Sequence, residues 1–345
     1  MIKSKSIIQR TKRQYSFNKE KLKELPDFPK NIMIELSNAC NHACLFCTSS
    51  FMTRKIKRID NDFLINVLKD AFSCGTRELG FYTTGDPFIY KGLDKLVKVS
   101  KDIGYEYIYI STNGALANPD ISKKVIDAGI DSIKFSINAI DRESYNLIHG
   151  KDDWLKVIEN LKFISLYKKK NDLKLSLYIT TVVTNIIEKG VEKFKSEIIK
   201  FVDEVQLISV HDQGGYMNKA SELLRSRTSK YKAPPKISDI CMLPFNRLHV
   251  TSEGYLTACC VDYQNYLAIT DLKKISIKEA WESEEFIELR RKHLNKDLGN
   301  TLCHNCWNNC NDQVKPLNEE LSTLLDNDEH GKFVGNTVKN RIKKF

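Results

Sequence analysis

The sequence predicts an α/β fold: a partial (β/α)6 parallel barrel followed by a small cysteine-rich C-terminal domain. Three observations carry that expectation. From residue 31, strand-like and helix-like segments alternate for about 180 residues. The alternation stops at a polar stretch containing Gly214-Gly215 and Pro234-Pro235. Six of the ten cysteines then fall within residues 241–310. Serial strand–helix units build a parallel sheet covered by helices, and right-handed crossovers curl such a sheet toward a barrel.

Each element has a local reason. Residues 31–37 (NIMIELS) form a short apolar run expected to be the first strand, and residues 60–73 have helical spacing. Residues 78–83 are the second strand, followed by a helix over 93–103 that Gly104 ends. Residues 105–111 (YEYIYIS) are the third strand; the helix over 119–128 has Pro119 and Asp120 in its first turn and Gly129 after its end. Residues 132–137 are the fourth strand, and the helix over 154–168 is expected to bury Leu155, Ile158, Leu161 and Leu166 along one side. A fifth strand over 173–182, a helix over 191–199 and a sixth strand over 204–210 complete the series. Further on, residues 255–258 suit one strand of a hairpin, and 277–293 one helix. The chain thus divides into a basic N-terminal segment (1–30), the barrel (31–210), a bridge (211–237), the cysteine domain (238–315) and a basic tail (316–345) read as a short helix and a mobile end.

Composition sets the class. With 41% hydrophobic and 28% charged residues over 345 positions, the chain can fill a core and is not disordered. No stretch approaches the roughly 20 apolar residues of a membrane span, and the N-terminus lacks the apolar core of a signal peptide, so a cytoplasmic protein is expected. The net charge of +10 lies in the ends. Residues 1–30 hold nine Lys/Arg against three acids, and residues 331–345 hold five Lys/Arg and no acid, leaving −1 for the body. A nucleic-acid groove would concentrate charge on the folded body, so a nucleic-acid partner is not expected.

Ten cysteines in a chain without an export signal point to metal or catalysis rather than disulfides. Cys40, Cys44 and Cys47 follow the first strand, on the face where parallel barrels place their active sites. Three close thiols suit either a structural zinc site, with His42 as the fourth ligand, or a [4Fe–4S] cluster with one iron left free. Cys74 ends a predicted helix and is read as a small buried hydrophobe.

The surrounding motifs narrow the choice. Cys40-x3-Cys44-x2-Cys47 has an aromatic, Phe46, before its last cysteine. The second strand leads into Thr84-Gly85-Asp86-Pro87, the third into Thr112-Asn113-Gly114, and the fourth into Ser136-Ile137-Asn138. This ordered set, over about residues 31–210, resembles the radical S-adenosylmethionine (SAM) enzymes. The resemblance implies that Cys40, Cys44 and Cys47 hold a cluster whose fourth iron binds SAM, and that an electron from it cleaves SAM to a 5′-deoxyadenosyl radical. It also implies SAM contacts from Phe46, Thr84, Gly85, Asp86, Pro87, Ser136 and Asn138. Asp86 stands where the family usually has Glu. Asn113 is expected to stabilise its turn.

The second cysteine group, Cys241-x12-Gly254-x4-Cys259 with Cys303-x2-Cys306-x3-Cys310, resembles the C-terminal extension called SPASM, or its shortened form, twitch. The resemblance implies one auxiliary [4Fe–4S] cluster on Cys241, Cys259, Cys303 and Cys306, with a zinc knuckle as the alternative. Cys260 is an alternative ligand to Cys259, and Cys310 has no assigned place. A saturated auxiliary cluster suits electron acceptance, so the expected reaction is oxidation of an alcohol on a sugar or aminocyclitol. Radical epimerisation with Cys260 or Cys310 as hydrogen donor, peptide maturation, and a non-catalytic iron–sulfur or zinc scaffold are the alternatives. His211 and Asp212, after the sixth strand, are candidate bases, and His149 is a candidate for the same cavity. A small-molecule or peptide substrate and an external electron donor, flavodoxin or ferredoxin, are the expected partners.

Overall fold

A computed structural model describes residues 22–231, 240–322 and 329–343. Most of the basic N-terminal segment, the Pro234-Pro235 part of the bridge and the last two residues of the tail lie outside the described residues.

The predicted alternation folds as one sheet. Six strands, β1 (Asn31–Ile34), β2 (Glu78–Phe81), β3 (Tyr107–Thr112), β4 (Ser132–Ser136), β5 (Ser176–Val183) and β6 (Glu204–Ser209), pair in parallel in chain order. Three more extend the sheet beyond β1: β7 (Arg247–Val250), β8 (Tyr255–Thr257) and β9 (Ala268–Asp271). β7 is parallel to β1, with Asn31 opposite Arg247, whereas β8 and β9 are antiparallel. The barrel and the cysteine domain therefore share a continuous sheet, and β7 occupies the edge of β1 that a six-stranded reading leaves unpaired. Among the described residues, no helix is long and apolar enough to cross a membrane.

Side-chain alternation sorts the two faces. Along β3, Ile108, Ile110 and Thr112 are buried while Tyr107, Tyr109 and Ser111 are part-exposed. Ile108 and Ile110 join the core that the outer helices cover, with Leu96, Val97, Val125 and Leu161. The other face is the barrel interior: the Tyr109 hydroxyl donates to Asn31 Oδ1, two strands away, at 2.9 Å. Gly80 makes room for that ring, since a Cβ there would sit 2.6 Å from Tyr109.

Helix ends follow local chemistry. Asp60 caps the helix Asn61–Ser73 by accepting from Phe63 N, and Gly104 closes Leu93–Ile103 in the left-handed region. Two expectations fail. In the helix Trp154–Lys170 the buried stripe is Val157, Leu161 and Ile164, while Leu155 and Leu166 are about 60% exposed. The single helix over 277–293 is two, Ile277–Trp281 and Glu284–Asn295, because Ser283 caps a new start by accepting from Phe286 N. The tail also differs: the helix Glu329–Ile342 lays Val338 and Ile342 onto Leu45, Phe46 and Ile148 beside the first cysteine loop.

Candidate functional site

β1 feeds a loop that carries Cys40, Cys44 and Cys47 before a short 3-10 turn, Thr48–Phe51. The loop backbone pairs with the end of the helix Arg142–His149: Ala43 N donates to His149 O and Leu45 N to Ile148 O, both at 3.0 Å. Cys44 Sγ lies 3.5 Å from His149 Nδ1, and Cys47 Sγ lies 3.0 Å from Ser49 Oγ. Asn113 donates from Nδ2 to Asn41 Oδ1 at 2.8 Å and reaches Cys40 Sγ at 3.8 Å. Its side chain thus ties the end of β3 to the cysteine loop, a larger task than steadying its own turn. Burial pushes the Cys44 thiol well up, and Cys47 and Cys40 push it further. Three thiols in mutual electrostatic reach need a cationic centre to be held as thiolates.

The Gly85 turn explains itself by a close approach. A Cβ on Gly85 would lie 2.1 Å from Ser37 O and 2.4 Å from Ala39 O, both backbone atoms of the cysteine loop. Asp86 N donates to Ala39 O at 3.0 Å. The Asp86 carboxylate is buried and accepts from Thr112 Oγ1, Asn113 N and Phe88 N. Burial raises its pKa. Asp86 therefore clasps the β2 and β3 turns together, with its acceptor capacity taken up inside the protein. Pro87 opens the 3-10 turn Pro87–Ile89 that Asp86 caps. Beside Thr84, Thr83 Oγ1 donates to Glu35 Oε2 at 3.3 Å.

Behind this turn lies a buried ionic bridge. Arg54, just past the cysteine loop, donates to Glu35 Oε1 and to Glu253 Oε2, each at 2.5 Å. Ser252 N and Oγ also donate to Glu35, at 3.0 and 2.8 Å. The bridge joins the end of β1, the loop exit and the β7–β8 turn.

The second thiol group is drawn from three separate segments. Cys241 precedes the short helix Leu243–Asn246, Cys259 follows β8, and Cys303 and Cys306 lie one turn apart on the helix Leu302–Asn308. Burial pushes Cys303 well up, with Cys241 and Cys306 adding to it. It brings Cys306 to about 12, with Asp212, Cys241 and Cys260 adding. Cys241 lies within electrostatic reach of Cys303, Cys306 and Cys259, while the thiol that acts on Cys306 from the β8 end is Cys260. Cys260 lies against His249 and within electrostatic reach of Arg247. Lys134, on the interior face of β4, also feels Cys260; burial brings its ammonium down to about 8, and its Nζ lies 4.9 Å from the Tyr82 ring centroid. All ten cysteines are free.

The spacing tests the zinc readings. Around one zinc ion, sulfurs about 2.3 Å from the metal stand about 3.8 Å apart. Among the described residues, three ligand atoms come within 4.8 Å of one another only at His304, Cys310 and Asp312. Neither thiol group places three sulfurs within that distance of one another. Cys310 stands apart from the four deeper thiols, with its Sγ 3.2 Å from Asn305 Oδ1 and 3.4 Å from Asp312 Oδ2.

Residues 34–197 match the radical SAM superfamily and residues 241–307 match the SPASM iron–sulfur cluster-binding domain, together more than half of the chain. The chain belongs to the radical SAM superfamily and carries a C-terminal SPASM domain; it is a SAM- and [4Fe–4S]-dependent enzyme. A probable GTP 3′,8-cyclase of Sulfolobus acidocaldarius is 26% identical over 297 residues, covering 76% of this chain and 90% of the relative. The fold is similar to that of BtrN in complex with AdoMet and 2-DOIA, with a TM-score of 0.53, 18% identity, and coverage of 85% of this chain and 96% of BtrN. It is also similar to Streptococcus suis SuiB bound to S-adenosylmethionine, with a TM-score of 0.61, 13% identity, and coverage of 82% of this chain and 72% of SuiB.

Several residues lie differently from expectation. His149 is fully buried against Cys44 and does not face a cavity. Asn138 is buried, and its Oδ1 accepts from Val182 N at 2.8 Å, a bond that joins the ends of β4 and β5. Ser136 is part-exposed on the interior face, 3.4 Å from Ser111 Oγ. Phe46 packs into the core shared with Ala220 and Val338. Cys74 is only half-buried. His211 is exposed, whereas Asp212 is half-buried beside Cys306 with its Oδ2 free of hydrogen-bond partners. Sequence reading passed over Lys134, Tyr82, Tyr109, Arg247 and His249. Their signal was the period-2 alternation that turns polar residues of apolar strands inward.

Proposed function

We propose that the protein oxidises an alcohol, on a sugar- or aminocyclitol-like substrate, between two [4Fe–4S] clusters. The carrying observation is the thiol group around Cys241, which lies within electrostatic reach of Cys303, Cys306 and Cys259; in this reading those four would saturate a cubane cluster and leave it an electron acceptor rather than a substrate ligand. The likeness to BtrN, a structure holding AdoMet and 2-DOIA, over 85% of the chain supports this reading.

In this reading Cys40, Cys44 and Cys47 hold the SAM-binding cluster, and the Gly85–Pro87 turn and Ser136 border SAM. Asn113 and Asp86 fix the loop and turn rather than bind. SAM at a cluster held by Cys40, Cys44 and Cys47 would supply the hydrogen-abstracting radical, and a cluster on the second thiol group would supply the electron acceptor. Asp212 accepts the hydroxyl proton. Burial raises its pKa, which brings the carboxyl closer to working pH, and it lies beside the auxiliary ligand Cys306. Tyr82 and Lys134 offer a hydroxyl and a cation to the substrate from the interior wall. An external flavodoxin or ferredoxin supplies the priming electron.

The test replaces Cys241 and Cys303 with Ala. SAM cleavage should persist in part while ketone formation stops. A second reading, nucleotide cyclisation, has the identity to probable GTP 3′,8-cyclases in its favour. Turnover of GTP, with no oxidation of any polyol, would replace the first reading with this one. A product with the substrate's mass and inverted stereochemistry, dependent on Cys260, would instead make the enzyme an epimerase.

A further inference from the structure

His149 ends the helix Arg142–His149, and its ring is held on every side. Tyr145 stacks on it with centroids 4.1 Å apart and planes 10° apart, and His42 meets it edge-on at 5.4 Å. Asn138 N donates to Nε2 at 3.1 Å. A ring nitrogen that accepts from a backbone N–H carries no hydrogen itself, so the single ring hydrogen resides on Nδ1. Nδ1 faces Cys44 Sγ at 3.5 Å.

We propose that His149 is a positioning residue for the SAM-binding cluster, an N–H···S donor to Cys44 that raises the reduction potential of that cluster. The proposal rests on the reading of Cys44 as a cluster ligand. Reduction adds one electron, shared in part by the ligand sulfurs. An N–H dipole aimed at one sulfur stabilises the more negative state more than the oxidised one, with no proton moved. The ring is fixed before any electron arrives, so the donor needs no reorganisation.

The fold separates this effect from placement of the loop. Cys44 is held by the main-chain bonds Ala43 N to His149 O and Leu45 N to Ile148 O, which any side chain at 149 preserves. Arg341 adds bonds from Nη1 to Leu147 O at 2.9 Å and from Nη2 to Ala43 O.

Two variants divide the ring's two roles. His149→Gln keeps an acceptor for Asn138 N–H and lacks the Nδ1 donor; His149→Asn keeps an N–H near the Nδ1 position and lacks the distal acceptor. The full chain is reconstituted without oxygen and titrated potentiometrically, with the cluster followed by electron paramagnetic resonance. The SAM-binding cluster is recognised by the change in its signal when SAM is added. The expected result is a midpoint shifted to more negative potential in the Gln variant and close to the wild-type value in the Asn variant. Equal midpoints in the wild type and the Gln variant overturn the proposal. So does a cluster lost equally from both variants with circular dichroism unchanged, because the ring would then only fill space. Iron retained in full after joint replacement of Cys40, Cys44 and Cys47 is a different failure, that of the ligand reading itself.

Discussion

Removing Arg54 should destabilise the protein by an amount that depends on pH in a sense opposite to the wild type. Its guanidinium is 1% exposed and pairs with two carboxylates, Glu35 and Glu253. Arg54→Leu leaves both without their cation, and breaking a buried pair in this way costs about 3–5 kcal/mol. At this chain length each kcal/mol lowers Tm by roughly 2 °C, so a drop of about 6–10 °C is expected near neutral pH. Burial raises the Glu35 pKa, but the charge of Arg54 and its hydrogen bonds outweigh it and hold the carboxyl below its ordinary value of 4.5. In the wild type, Glu35 therefore adds stability that is present above pH 4.5 and lost as pH falls through its lowered pKa. Without Arg54 the burial effect remains, and the folded-state pKa rises above the unfolded one. The variant is then penalised increasingly as pH climbs past 4.5. Anaerobic thermal unfolding of both proteins at about pH 5 and about pH 8 should show the larger deficit at the higher pH. Replacing Glu35 and Glu253 by Gln alongside Arg54→Leu should recover much of it. Equal deficits at both pH values, or one below about 1 kcal/mol, would refute the ionic account.

Other outcomes follow from the same geometry. The reconstituted chain should hold about eight irons, falling to about four with loss of all SAM cleavage when Cys40, Cys44 and Cys47 become Ala; elemental analysis checks both. Gly85→Ala forces a Cβ to 2.1 Å from Ser37 O, a backbone atom that cannot rotate away, and should cost about 1–3 kcal/mol or more along with iron from the first cluster. Arg341→Met removes the donors to Leu147 O and Ala43 O, and should hasten both hydrogen exchange at residues 43–45 and bleaching of the first cluster in air.

The sequence displayed most of the frame because β/α repetition announces itself through period and punctuation. Strands β1 to β6 were legible as apolar runs, and Pro119 and Gly104 mark helix ends through backbone restrictions that hold in any context. β7 was not legible. Its four residues alternate Arg247 and His249 with Leu248 and Val250, and only pairing with β1 makes so short a polar run a strand. The helix Arg142–His149 hid for a related reason: a capping box at Asp141 and Ser144 stabilises a stretch whose composition is mostly polar. The cysteine groups were readable from spacing. What surrounds them was not, because His149, Arg54 and Glu253 reach their partners from 105, 19 and 199 positions away, and no local pattern encodes such meetings.

The shared strand edge also orders events during synthesis. β1 meets β2 about 47 residues downstream, but its other neighbour, β7, lies 216 residues downstream. At roughly 5–20 residues per second, the ribosome takes about 10–40 s to cover that distance. Throughout this interval the strand that launches the cysteine loop has one bare edge, and Arg54 still lacks Glu253. Arg341, which clamps Ala43, emerges later again, 298 residues beyond it. The cysteine loop thus gains its full set of supports only after Glu253 and Arg341 have been made.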